Sequence, residues 1–296
     1  MGRKGWYLVG LLLGLVGLWY TSRPDGRTRI IACDVGQGDA ILVTRGTTQV
    51  LIDGGPSSAK VLACLADQLP FYDRRIELIV LTNTDFDHLN GLSAVLERYT
   101  VMQFVTADGV HESAALDHLV AALDAQQLLV RMVSRGDTLQ ILGPYPLTFR
   151  VVWPPATQEK YAAVFQANLA AATREQLLSE SAKRGNLNER SVVLLFLQDT
   201  YTALLMGDAG DQAEKQLVAD GTLPTVDYLK VGHHGSKYAS TLEFLEMIRP
   251  RRAVISVGKG NRYGHPTAEA LSRLTAVGAE IVRTDEVGTV VMTLDQ

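Results

Sequence analysis

The chain has 296 residues, 47% of them hydrophobic, with 28 Lys and Arg against 32 Asp and Glu, for a formal net charge of -4. That length and apolar content permit a large buried core and exclude a disordered or low-complexity chain. The balance of charge excludes a global cationic field for nucleic acid, so any polyanion contact must come from a local patch.

The elements follow in chain order. Trp6 to Tyr20 contains no charged residue and is preceded by Arg3 and Lys4. It falls short of the ~20 residues of an upright membrane span but suits a short anchor or a signal core. No small-x-small cleavage site follows, so residues 1–27 are expected to be an uncleaved anchor and linker. Arg23, Arg27 and Arg29 weaken the positive-inside asymmetry.

Residues 28–296 are expected to form one domain. Arg29 to Asp34, Ala40 to Thr44 and Gln49 to Asp53 read as antiparallel strands with Gly-containing turns. Gly36 and Gly38 precede the strand-like Ile41-Leu42-Val43 rather than a helix, which excludes a dinucleotide-binding turn. Cys33 lies in an apolar run and Cys64 in an expected helix. Neither has metal-site spacing, and both are expected to be buried free thiols.

Helices are expected at about 59–68, 89–98 and 113–125, separated by strands such as Ile76 to Leu81. After the strand Leu147 to Trp153, Pro154-Pro155 marks a break, and the polar Glu159 to Lys183 reads as a helical insertion over about 156–186. Strands Ser191 to Leu197 and Tyr201 to Met206 follow. Asp211 with Glu214, and Ser240 with Glu243, are spaced as capping boxes. The fold class is α/β.

Chemistry-bearing residues cluster where strands end and helices begin, the usual position of sites in open α/β sheets. Asp85, Asp87, His88, Asp208 and one of His233 or His234 supply three carboxylates and two imidazoles, a set that points to a metal centre.

The segment Leu81-Thr82-Asn83-Thr84-Asp85-Phe86-Asp87-His88 resembles the His-x-(His/Asp)-x-Asp-His loop of the metallo-β-lactamase superfamily, with Asn83 where the first His stands. Met206-Gly207-Asp208, Leu229-Lys230-Val231-Gly232-His233-His234-Gly235-Ser236 and the segment from Ser256 to Pro266 are further landmarks. With Cys33 to Ile41 and Leu51 to Gly55, they resemble, in order, the extracellular hydrolase domain of the ComEC family of competence DNA-uptake proteins. That family's polytopic channel has no counterpart in this chain.

The resemblance implies an αββα sandwich and two divalent ions. Asp87, His88 and His233 would hold one ion, Asp208 would bridge, and Asp85 with Asn83 would form a weaker second position. Oxygen donors move the preference from zinc toward manganese or magnesium, with manganese favoured by the remaining histidines. Asp87, Asp208 and His265 are the catalytic candidates. His234, Ser236, Lys237, Asn188, Ser191, Lys259 and Arg262 are candidates for substrate contact. His111 and His118 lie outside every motif and are expected to be structural or exposed.

The implied function is a membrane-anchored phosphodiesterase, a nuclease acting on single-stranded DNA outside the cytoplasm beside a separate channel protein, or a secreted form of it. The alternative is a non-catalytic nucleic-acid-binding relative whose metal site is depleted at Asn83.

Overall fold

The computed structural model describes residues 7, 10–14, 17, 24–107, 111–156 and 188–294. β1 (Thr28–Ala32), β2 (Ile41–Arg45) and β3 (Thr48–Ile52) form an antiparallel meander. Their residues are apolar on both faces because both are covered. Ile30, Val43, Val50 and Ile52 enter one core, while Ile31, Leu42 and Leu51 enter another with Val61 and Leu65. Those two belong to α1 (Ser58–Gln68), which begins where the Ser57 hydroxyl accepts the Lys60 N–H.

The chain continues through β4 (Arg75–Ile76), β5 (Leu78–Leu81), α2 (Phe86–Leu89), α3 (Leu92–Arg98), β6 (Thr100–Val101), β7 (Phe104–Thr106), α4 (Ala114–Ala125) and β8 (Val130–Met132). Together these complete a seven-stranded sheet in the order β16-β1-β2-β3-β5-β7-β8, where β16 is the final strand, Val290–Leu294.

The second half repeats the scheme with β9 (Thr138–Ile141), β10 (Leu147–Trp153), β11 (Val193–Gln198), β12 (Tyr201–Leu205), α5 (Asp211–Asp220), β13 (Tyr228–Lys230), α6 (Leu242–Ile248), β14 (Arg252–Ile255), α7 (Ala268–Ala276), β15 (Glu280–Arg283) and α8 (Thr284–Val287). The second sheet runs β15-β14-β13-β12-β11-β10-β9. Each sheet is mixed, antiparallel toward one side and parallel from β3 or β12 onward. Phe149, Phe196 and Tyr228 of the second sheet face Ile30 and Val80 of the first, and helices cover both outer faces. The layers are therefore αββα.

Several expectations change. Cys33 and Cys64 form a disulfide rather than two free thiols. Residue 33 continues the outward-facing row of β1 against which α1 packs, and the Cα atoms come within 5.9 Å, inside bridging range. The two capping boxes do not form: α5 starts at Gly210 and α6 at Thr241, neither with a side-chain cap. Instead the Glu214 carboxylate crosses from α5 to accept the N–H groups of Ser240 and Thr241, and burial raises its pKa to about 7. The helical insertion of about 156–186 lies outside the described residues apart from Ala156. Most of the apolar N-terminal segment does so too. Leu11, Leu12 and Leu13 within it are helical and exposed. Among the described residues no helix is long and apolar enough to cross a membrane.

Candidate metal centre

Four strands deliver the centre at their carboxyl ends: β3 leads to Asp53, β5 to His88, β12 to Asp208 and β13 to His234. Asp53 is held at a positive φ of 61°. Its two carboxylate oxygens accept the Thr82 N–H and hydroxyl, both at 2.7 Å. One of them also lies 2.8 Å from His88 Nδ1. That contact turns the opposite edge of the buried imidazole inward, where Nε2 lies 3.1 Å from Asp208 Oδ2. A carboxylate behind one nitrogen fixes which nitrogen faces a ligand.

His234 is set by its backbone. Gly232–Gly235 is kinked rather than regularly helical, with His233 and His234 left-handed at φ of 43° and 52°. His234 Nδ1 contacts the Ser256 carbonyl at 2.8 Å, and Nε2 faces Asp87 Oδ2 at 3.3 Å and Asp208 Oδ1 at 3.4 Å. Behind it lies Asp39, 3.5 Å from Nδ1 and ion-paired to the buried Lys230. Lys230 Nζ also donates to the Gly207 carbonyl at 3.0 Å, and the Asp39 N–H donates to the Asp87 carbonyl at 3.1 Å. Gly38 permits that approach, since a Cβ there would collide with the same carbonyl.

His88 Nε2, His234 Nε2, Asp208 Oδ1 and Asp39 Oδ1 are buried without hydrogen-bond partners, a costly arrangement for so many polar atoms unless something else satisfies them. Donor atoms of Asp87, His88 and His234 lie within 4.8 Å of one another, as do those of Asp39, Asp208 and His234. This set of imidazole and carboxylate donors fits a divalent cation. Asp53 is geometrically near, but its oxygens are engaged with Thr82 and His88, so it orients a ligand rather than acting as one.

The electrostatics agree with this fit. Burial opposes charge on His88, yet the Asp208 and Asp53 carboxylates hold its imidazole well above the usual value. Burial alone would raise Asp208, but His88 and His234 hold its carboxyl well below the usual range. The cluster draws in positive charge.

The remaining expected ligands face elsewhere. Asn83 accepts the Asp85 N–H through Oδ1 at 2.9 Å and donates through Nδ2 to Ser191 at 3.1 Å, so both ends of its amide are used. Asp85 pairs with His111 Nδ1 at 2.7 Å. His111 is exposed, as expected, but it belongs to the neighbourhood of the loop, a role its position outside the motifs did not show. His233 is half-buried, with its ring 5.6 Å from that of His265. His265 stacks at 6.5 Å on His234, and its Nδ1 is buried without a partner. Burial, then the neighbouring His233 and His234, hold its pKa down.

Ser236 is buried, with its hydroxyl accepting the Tyr238 N–H, while Lys237 and Arg262 are exposed. Asn188 opens the 3-10 turn that leads to buried Ser191. Lys259 lines a separate cavity of about 280 Å³ with Asp34, Gln37, Lys60 and Asn261. Asp39 and Lys230 stood inside quoted motifs, yet nothing in the sequence indicated that they pair.

Comparison with known proteins agrees with this fold and motif order. ComE operon protein 3 of Bacillus subtilis is 28% identical over 278 residues, covering 87% of this chain and 32% of that protein. Competence protein ComA of Neisseria gonorrhoeae is 26% identical over 289 residues, covering 96% and 35%. The chain thus spans about a third of the length of these curated relatives. Among solved structures, the metallo-beta-lactamase fold protein YhfI from Bacillus subtilis superposes with a TM-score of 0.57 at 13% identity, over 90% of this chain and 100% of that one. Residues 33–175 match the model of the Metallo-beta-lactamase superfamily, and the two-sheet fold and the similarity to competence proteins are consistent with a hydrolase domain of that kind.

Proposed function

We propose that the chain is a metal-dependent phosphodiester hydrolase acting on DNA. The observation that carries this reading is the convergence of His88 Nε2, His234 Nε2 and the carboxylates of Asp208 and Asp87, within 3.1–3.4 Å of one another in ion-pair contacts yet with both imidazole nitrogens lacking an aligned hydrogen bond. A divalent ion held by these residues would polarise a phosphodiester and acidify a bound water. Asp53 and the Ser256 carbonyl fix the two imidazoles from behind. Asp87, with its side chain 30% exposed, marks the open side on which substrate arrives. His265, kept neutral beside that opening, is placed to take up or return a proton or to donate to a phosphate oxygen.

Of the two ions expected, the first is assigned to Asp87, His88, His234 and Asp208, with His234 in place of His233. A second would need Asp85 and Asn83 to leave their present partners, so it is the weaker. Two imidazoles and two carboxylates are compatible with manganese, our preferred ion.

The competence relatives support DNA as the substrate and a partnership with a DNA-uptake channel. The Cys33–Cys64 disulfide and the exposed apolar residues Leu11 to Leu13 support an anchored domain outside the cytoplasm.

The test is manganese-dependent cleavage of single- and double-stranded DNA by the full chain, with Asp208→Ala alongside. Cleavage that falls to background in the variant supports the hydrolase. Binding without turnover at any divalent ion selects a non-catalytic nucleic-acid-binding protein.

A further inference from the structure

We infer that three exposed aromatic side chains around the centre, Phe86, Tyr238 and Tyr263, are stacking positions for the unpaired bases of a single-stranded polynucleotide. The inference rests on the hydrolase reading above and names how its substrate is held.

Three segments that carry donors of the centre or a ring stacked on one each bear such a ring: the first residue of α2, the segment after His234, and the segment before His265. Phe86 is 59% exposed although it stands between Asp85 and Asp87, at the start of the helix that carries His88. Tyr263 is 59% exposed and stacks on His265 at 6.0 Å, which stacks in turn on His234 at 6.5 Å. Tyr263 is thus the outermost ring of a ladder that ends at the metal donors. Tyr238 is 62% exposed and follows His234 by four residues. Its backbone is pinned on both sides, the N–H to Ser236 Oγ and the carbonyl to the Asp211 N–H, so the ring projects from a fixed base.

A single exposed ring is ordinary on a protein surface; what sets these apart is their place, next to candidate donors in sequence or in a ring stack that reaches His234. Two of the rings also carry a cation: Lys237 Nζ lies 4.9 Å from the Tyr238 centroid, and the Arg262 guanidinium 5.6 Å from that of Tyr263. Ring plus cation is the pairing that a flexible polyanion with π-faces requires, with the base on the ring and the phosphate on the side chain that swings off it. A duplex offers no free base faces along its length, so the rings would favour single strands, and stacking imposes little sequence preference. The net charge of -4 makes such local contacts necessary, since the whole molecule does not attract a polyanion.

The experiment measures binding of fluorescent oligodeoxythymidine, about 16 nucleotides long, and of a blunt duplex to the full chain in detergent with EDTA present. Phe86→Ala, Tyr238→Ala and Tyr263→Ala are each expected to weaken single-strand binding by about 5- to 100-fold. They should leave the slope of log affinity against log salt unchanged, and Tyr263→Trp should retain binding. Lys237→Ala and Arg262→Ala should instead each flatten that slope by about 1. A triple aromatic variant that binds the single strand as tightly as the parent overturns the inference, as does an equal loss for single strand and duplex. If the parent cleaves single-stranded DNA and the triple variant binds it normally, only the stacking assignment fails. If the parent neither binds nor cleaves any polynucleotide, the hydrolase reading fails with it.

Discussion

Removing the Cys33–Cys64 disulfide should lower stability without disturbing the metal centre. The bridge closes a sequence separation of 31 residues. For a loop of that length, the chain-entropy relation gives on the order of 12 cal/mol/K, or about 3.7 kcal/mol at 25 °C. In a domain of this size that corresponds to a fall of about 6–7 °C in the unfolding midpoint. Dithiothreitol is the cleaner perturbation, because replacing Cys33 and Cys64 by Ala also removes buried volume, both residues being buried. The metal-binding face should survive reduction. The Cys33 N–H still donates to the Ala40 carbonyl at 2.9 Å, and Asp39 remains tied to the Asp87 backbone at 3.1 Å. Urea unfolding of oxidised and reduced protein measures the stability difference, and equilibrium dialysis measures the metal affinity of each. Two reactive thiols in the unreduced, denatured protein, or coincident urea curves, would refute the reasoning.

Lys230→Met would leave Asp39 as a buried carboxylate without its cation and should cost about 3–5 kcal/mol. Adding Asp39→Asn should recover part of that loss in urea unfolding, whereas a deficit identical in both variants would count against the pairing. Asn83→His removes two hydrogen bonds, worth about 2 kcal/mol together, and by itself should not add a second ion, because Asp85 stays with His111; metal stoichiometry by atomic absorption decides this. Stability of the metal-free protein should depend on pH through His88. Its folded pKa lies well above 6.5, so its contribution is complete below the unfolded value and is lost as pH rises through the folded one. Asp208, held well below 3.8, contributes at every pH above its unfolded value and loses that contribution only in strong acid. Calorimetry of the chelated protein should therefore show a higher midpoint at pH 6 than at pH 9, and manganese affinity should rise as pH climbs, because a ligand imidazole must shed its proton to bind a metal. A flat profile would contradict the cluster's electrostatics.

How much was legible in the sequence follows from the range of the interactions involved. The strands could be read because each carries its own pattern, while the αββα layering was what the resemblance implied. Ile30, Ile31 and Ala32 are apolar on both faces because both faces are covered, a property local to five residues. Asp87, His88 and Asp208 could be picked out as candidates for a similar reason, since each follows such a strand within a few residues, Asp87 and His88 on the short helix α2 and Asp208 in the turn after β12. His233 and His234 could not be separated. Their spacing from β13 differs by one residue, and a turn with both residues at positive φ decides which ring faces inward, whereas sequence spacing carries no handedness. Asp39, in the connection between β1 and β2, meets Lys230 of a strand in the other sheet, and the cysteine bridge depends on the angle at which α1 crosses β1. Asn83 is the instructive case. As a missing imidazole it reads as a defect, yet its amide joins Asp85 of one half of the sandwich to Ser191 of the other. A histidine bound to a metal could not make both of those bonds at once. Asn83 thus supplies a cross-link between the two halves, and the candidate centre gathers around His88 and His234.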